Sequence, residues 1–197
     1  MSGNSSVAGN SAIRSQAGFG TTVTITLNNS TVSGNATSGA GNGAIWNQAL
    51  GGAFVTVLRN SIVAGNTVNG VANDIEGALD VSSSANNLIG VGGGLVNGVN
   101  GNQVGVNDPL LASLANYGGP TPTRALLPGS LAINAGTLFG AGPATDARGI
   151  ARPQQGVRDI GAYESRGFTL ALANGVQTTQ INTAFPSPLI VTVAAID

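Results

Sequence analysis

Charged residues crowd one short stretch of the chain, and five of them form a candidate group: Asp146, Arg148, Arg152, Asp159 and Glu164. Carboxylates and guanidinium groups at this density have two uses. They can perform acid–base work on an acidic sugar, or they can pair bidentately and tie loops together. The second use is expected here, because the group falls in a loop-rich, proline-rich segment and not on a repeating strand. A second acidic trio, Asp74, Glu76 and Asp80, offers oxygen ligands for a hard cation, and Ca²⁺ is the only cofactor the chain suggests. Its spacing matches no calcium loop, so a solvated turn is the simpler reading. Trp46, the only Trp, could stack on a sugar ring; packing at a strand corner is the plainer expectation.

Elsewhere chemistry is scarce. Residues 1–72 contain no Asp, Glu, His, Lys or Cys, and Arg14 and Arg59 are their only ionisable side chains. Arg holds its proton too firmly to serve readily as a base, so no catalytic residue is expected in this region. The 197-residue chain has a net charge of −1, which leaves no electrostatic footprint for nucleic acid. Without Cys it has neither a disulfide framework nor a thiolate metal site. No run approaches the ~18 apolar residues of a membrane span, so no membrane insertion is expected. Met1 leads straight into Ser-Gly-Asn without a basic, apolar leader. The expectation is an internal piece of a longer exported protein.

The elements that position these residues come from a phrase stated three times. Asn4-Ser5-Ser6-Val7-Ala8-Gly9-Asn10 returns as Asn29-Ser30-Thr31-Val32-Ser33-Gly34-Asn35 and as Asn60-Ser61-Ile62-Val63-Ala64-Gly65-Asn66, at spacings of 25 and 31 residues. Such periods mark stacked or arrayed repeats. Val23-Thr24-Ile25-Thr26-Leu27 and Val55-Thr56-Val57 alternate like half-buried strands, and Gly-rich turns separate them. Short strands joined by Gly and Asn turns predict an all-β solenoid, a right-handed parallel β-helix. Val7, Val32 and Val63 would stack inward, and Asn10, Asn35 and Asn66 would stack at a corner, where Asn tolerates left-handed backbone. Residues 81–107 read as a last irregular coil. Residues 108–165 read as an irregular cap, because an open end exposes strand edges and apolar core.

Several phrases occur in order after the repeats. They are Asn87-Leu88-Ile89-Gly90, Asp108-Pro109-Leu110-Leu111, Asn116-Tyr117-Gly118-Gly119-Pro120-Thr121-Pro122-Thr123, Leu127-Pro128-Gly129-Ser130 and Ile133-Asn134-Ala135-Gly136. Asp146-Ala147-Arg148-Gly149-Ile150-Ala151-Arg152-Pro153 and Asp159-Ile160-Gly161-Ala162-Tyr163-Glu164 complete the series. The repeats resemble bacterial β-helix proteins of the pectate-lyase-like superfamily. The ordered series is similar to the choice-of-anchor Q domain, and residues 166–197 resemble the start of a bacterial Ig-like domain of the invasin/intimin type. The resemblance implies coils over 1–107, a cap over 108–165 and a truncated Ig-like segment over 166–197. It further implies a secreted or cell-surface protein with a structural or adhesive role and a polysaccharide or surface glycan as partner. The alternative is a fragment of a polysaccharide lyase or glycoside hydrolase whose catalytic coils lie upstream. Asn10, Asn35, Asn66, Asp146, Arg148, Arg152, Asp159 and Glu164 are expected to be structural.

Overall fold

Runs of alternating apolar and polar residues, cut short by Gly and Asn, hold the strands to between two and seven residues. The computed structural model describes residues 1–7, 12–39, 41–137, 142–173 and 176–196. A first group of strands comprises β1 (Ser5–Ser6), β2 (Ile13–Gly18), β3 (Thr22–Asn28), β4 (Thr31–Val32) and β5 (Ala36–Thr37). A second comprises β6 (Ile45–Leu50), β7 (Ala53–Arg59), β8 (Ile62–Val63), β9 (Thr67–Val68) and β10 (Val71–Ala72). A third comprises β11 (Ile75–Ala78), β12 (Leu88–Ile89), β13 (Gly92–Gly93) and β14 (Gln103–Val104). The last two are β15 (Phe168–Leu172) and β16 (Val191–Ala195).

The fold is all-β and its sheets are mostly parallel. Strands β2, β6, β11 and β13 form one parallel sheet, and β4, β8, β12 and β14 form another. Strand β3 pairs with β7 in parallel over its whole length. Strands β1, β5 and β9 are parallel, with β10 turning back beside β9. Strands of successive groups therefore lie side by side. Between β3 or β7 and the strand that follows, the chain turns through one residue in left-handed backbone. Asn29 and Asn60 take φ of 45° and 47° in this role, and Asn86, with φ of 52°, sits likewise before β12, a conformation Asn adopts at little cost. Each donates its backbone N–H to a carbonyl further along the chain: Arg59, Ala85 and Asn100 respectively.

Two apolar clusters lie on opposite faces of the β4–β8–β12–β14 sheet. Val32, Val63 and Ile89 face an inner core with Ile45, Leu58, Ile75 and Leu79. Ile62 and Leu88 face the other way, against Leu126, Ala132, Ile160 and Tyr163. The segment expected as an end cap thus packs along the side of this sheet. It also reaches the early strands, where the Ala162 N–H donates to Thr31 Oγ1 at 3.0 Å. The apolar side of two-residue strands such as Ile62-Val63 leaves no solvent face, so something must cover it.

Three expectations need correction. Val7 is 83% exposed and lies outside the valine stack, where Ile89 follows Val63 instead. The 25-residue spacing misleads because Ser5 pairs with Ala36 and Ser6 with Thr37. This register aligns Asn4, and not Asn10, with Asn35. Asn10 itself lies outside the described residues. The Val55-Thr56-Val57 alternation also runs opposite to expectation, with Thr56 fully buried and its hydroxyl donating to Asn47 Oδ1 at 2.8 Å. Strands β15 and β16 form an antiparallel ribbon whose side chains are almost all exposed.

Candidate functional site

Strands β2, β6 and β11 alternate faces, so the residue after each inward-facing Ile points outward. Ile13, Ile45 and Ile75 are register neighbours, and so are Arg14, Trp46 and Glu76. The outer face therefore carries a row of a cation, an indole and a carboxylate on adjacent strands. The Arg14 guanidinium lies over the Trp46 ring, 4.3 Å from its centroid, and its Nη2 donates to Gln48 Oε1 at 3.1 Å. Such an exposed cation–π contact stabilises by roughly 0.5–1 kcal/mol and fixes the indole in the row. Gln16 and Gln48, themselves in register, continue the face with two amides. An aromatic plate flanked by amides, a guanidinium and one carboxylate suits the apolar faces and hydroxyls of a sugar. Glu76 is the only carboxylate on the four strands of this sheet, and glycoside hydrolysis ordinarily uses a pair.

The sequence reading weighed Trp46 alone. The signal for the row was present in Ile13-Arg14, Ile45-Trp46 and Ile75-Glu76, an Ile followed each time by a large polar or aromatic residue. It becomes visible once the strand register is known.

The acidic trio does not converge. Asp74 is buried at the end of an asparagine ladder. Asn4 donates its backbone and side-chain N–H groups to Asn35 Oδ1 at 3.2 and 2.8 Å. Asn35 does the same to Asn66 Oδ1 at 3.1 and 2.8 Å, and Asn66 to Asp74 Oδ1 at 2.9 and 2.7 Å. Asp74 Oδ2 then accepts the Val91 N–H at 2.9 Å. Burial pushes the Asp74 carboxyl above its ordinary value, and the bonds from Asn66 and Val91 pull against that shift. Glu76 points outward in the row described above. The Asp80 carboxylate accepts from the Ser82 hydroxyl at 2.6 Å and from the Ser82 and Ser83 amides, which hold it below its ordinary value. Among the described residues no group of three or more His, Cys, Asp or Glu side chains is placed to hold a metal ion.

In the lateral segment, the five charged residues close on one another and on backbone. Asp146 accepts from the Arg148, Ile150 and Glu164 amides and from Arg148 Nε, all at 2.8–3.0 Å. Burial opposes its ionisation, but these bonds outweigh that and hold the carboxyl below its ordinary value. Arg148 also lies 3.6 Å from the Tyr163 ring centroid. Arg152 donates to Glu164 Oε2 at 2.8 Å and to the Asp159 and Gly161 carbonyls. Glu164 in turn accepts the Gln154 and Asp159 amides. Asp159 accepts the Asn134 and Ser165 amides at 2.7 and 2.5 Å. Burial pushes its carboxyl up to about 6; the amides and Arg152 work against that rise and the nearby Glu164 adds to it. Asp159 and Glu164 are each 1% exposed. No substrate could reach carboxylates placed so deeply, and their bonds bind the segment's loops to each other.

One further recess, of about 740 Å³, is lined by Arg59, Ser82, Ser83, Asn86, Asn100 and Thr137. A guanidinium among hydroxyls and amides can hold an oxyanion. The Ser82 hydroxyl is already committed to Asp80. Among the described residues no helix is long and apolar enough to cross a membrane. Comparison with protein-family models, with curated proteins and with solved structures finds no match to this chain.

Proposed function

We propose that the chain is a right-handed parallel β-helix of the pectate-lyase-like type, a non-catalytic structural or adhesive segment that binds glycan on one outer face. The register row Arg14–Trp46–Glu76, extended by Gln16 and Gln48, carries this reading. It offers ring stacking and several hydrogen-bonding groups on a rigid sheet, and only one carboxylate. Strands of successive groups lying side by side in parallel support the solenoid. The exported, surface-anchored setting, the choice-of-anchor Q assignment and the Ig-like character of residues 166–197 rest on resemblance in the sequence.

A glycan array probed with the wild-type chain and with Trp46→Ala tests the binding. The wild type should retain a defined set of neutral or acidic glycans, and the variant should lose at least 1 kcal/mol, about fivefold, on those same glycans. Retention by both proteins alike would remove the row from the account. Release of shortened products during incubation would replace binding with catalysis.

A further inference from the structure

The outer face of β2 and β6 extends well beyond the Arg14–Trp46–Glu76 row. Successive outward positions on β2 are Arg14, Gln16 and Gly18, in register with Trp46, Gln48 and Leu50 on β6. Each two-residue step covers about 6.6 Å, so Leu50 lies about 13 Å along the strand from Trp46. At that far end the chain carries a second aromatic ring. It turns through Phe19 and Gly20, and the Thr21 N–H and hydroxyl both donate to the Gly18 carbonyl, at 3.1 and 2.8 Å.

This turn presents Phe19 instead of hiding it. The ring is 90% exposed, and Leu50 is 46% exposed. Phe19 also lies so close to Gly51 that a Cβ there would sit 2.5 Å from two of the ring carbons. Gly51, with φ of 84°, therefore makes room for the ring where a side chain would displace it. Across the strands the face offers no second ring. Beyond Glu76 the next strand, β13, is Gly92–Gly93, and β11 continues after Glu76 with Gly77 and Ala78. Trp46 and Phe19 thus mark the two ends of one face along the strands, with the Gln16 and Gln48 amides between them.

From this spacing, and resting on the glycan-binding reading, we propose that the ligand is a linear oligosaccharide of three or more rings that lies along β2 and β6. One ring stacks on Trp46, the middle of the ligand meets the Gln16 and Gln48 amides, and a further ring packs on Phe19 and Leu50. Arg14 and Glu76 are the only charged side chains on β2, β6 and β11, and they flank Trp46 on its two neighbouring strands. A charged sugar is therefore read at the Trp46 end. The Phe19 end takes an uncharged ring through its apolar side.

The probes are linear β-1,4 oligomers of glucose and of xylose, each with two and with six rings, titrated by calorimetry against the intact chain. The six-ring oligomer of the series that binds should bind more tightly than its two-ring counterpart. Phe19→Ala should weaken the six-ring oligomer about fivefold and leave the two-ring one unchanged, whereas Phe19→Tyr should keep wild-type affinity for both. Trp46→Ala should weaken both lengths. If Trp46→Ala weakens both while Phe19→Ala weakens neither, or weakens them equally, the lengthwise placement is overturned and the glycan-binding reading stands. If Trp46→Ala changes neither, the reading itself fails and the placement falls with it. Failure of both series to bind the wild-type chain would overturn the placement as well.

Discussion

Asp74 and Asp159 are both buried acids, and they are satisfied differently. Asp74 ends a column of amides, where only a group with two acceptor oxygens can take the Asn66 donors on one side and the Val91 amide on the other. Asp159 holds two loop amides beside the Arg152–Glu164 ion pair. Its carboxyl rises from 3.8 to about 6, with burial the largest cause. Between those values the folded chain keeps a proton that the unfolded chain has lost. Stability contributed by this group is therefore full below 3.8 and is lost as pH rises through about 6. We expect urea midpoints of the wild type to fall more steeply between about pH 4 and about pH 7 than those of Asp159→Asn, which cannot titrate there. Parallel pH profiles for the two proteins would contradict the assignment. In the sequence Asp159 was legible as one of a group expected to tie loops together, and Asp74 only as one carboxylate of a trio. That Asp74 separates from Glu76 and Asp80 follows from strand alternation and from a hairpin, β9–β10, that brings Asp74 back beneath Asn66.

Among the elements, the two-residue strands β8 and β12 matter most, because each is apolar on both faces. Val63 and Ile89 fill the inner core, and Ile62 and Leu88 hold residues 125–163 against the sheet. Ile160, fully buried, is central to that outer contact, and the neighbouring Gly161 N–H donates to the Asn60 carbonyl at 2.8 Å. Ile160→Ala should cost about 2–5 kcal/mol in urea unfolding and should speed amide exchange at Gly161. A loss well under 1 kcal/mol would mean that the lateral segment is held by its polar bonds alone. Adjacent apolar pairs, Ile62-Val63 and Leu88-Ile89, signal in the sequence that both faces are covered. The reading of residues 108–165 as an end cap followed from their composition, which carries no information about which side of the stack they cover. The direction of β7 was equally hidden, since Val55-Thr56-Val57 alternates for either choice of inner face. Asn47 decides it by offering the Thr56 hydroxyl an internal acceptor.

For the molecule as a whole, one quantity governs everything else: the offset at which successive strand groups lie against each other. The repeated phrase made stacking legible, but it offered two offsets, and the 25-residue one is false for the first copy. The Asn4–Asn35 and Asn35–Asn66 bonds join residues 31 apart. Offsets close to it, 32 residues from Arg14 to Trp46 and 30 from Trp46 to Glu76, bring these three into one row from distant parts of the chain. Gln16 and Gln48 are register partners on this face, and parallel neighbours lie ~4.8 Å apart, within the range a disulfide spans. Because the chain has no Cys of its own, the register can be read directly by oxidising the double variant Gln16→Cys/Gln48→Cys and counting free thiols. An intramolecular disulfide that forms while the chain stays folded is the predicted result. Thiols that stay free in the folded protein, alongside ready closure of Gln16→Cys/Gly41→Cys at the 25-residue offset, would contradict the register and with it the proposed glycan-binding face.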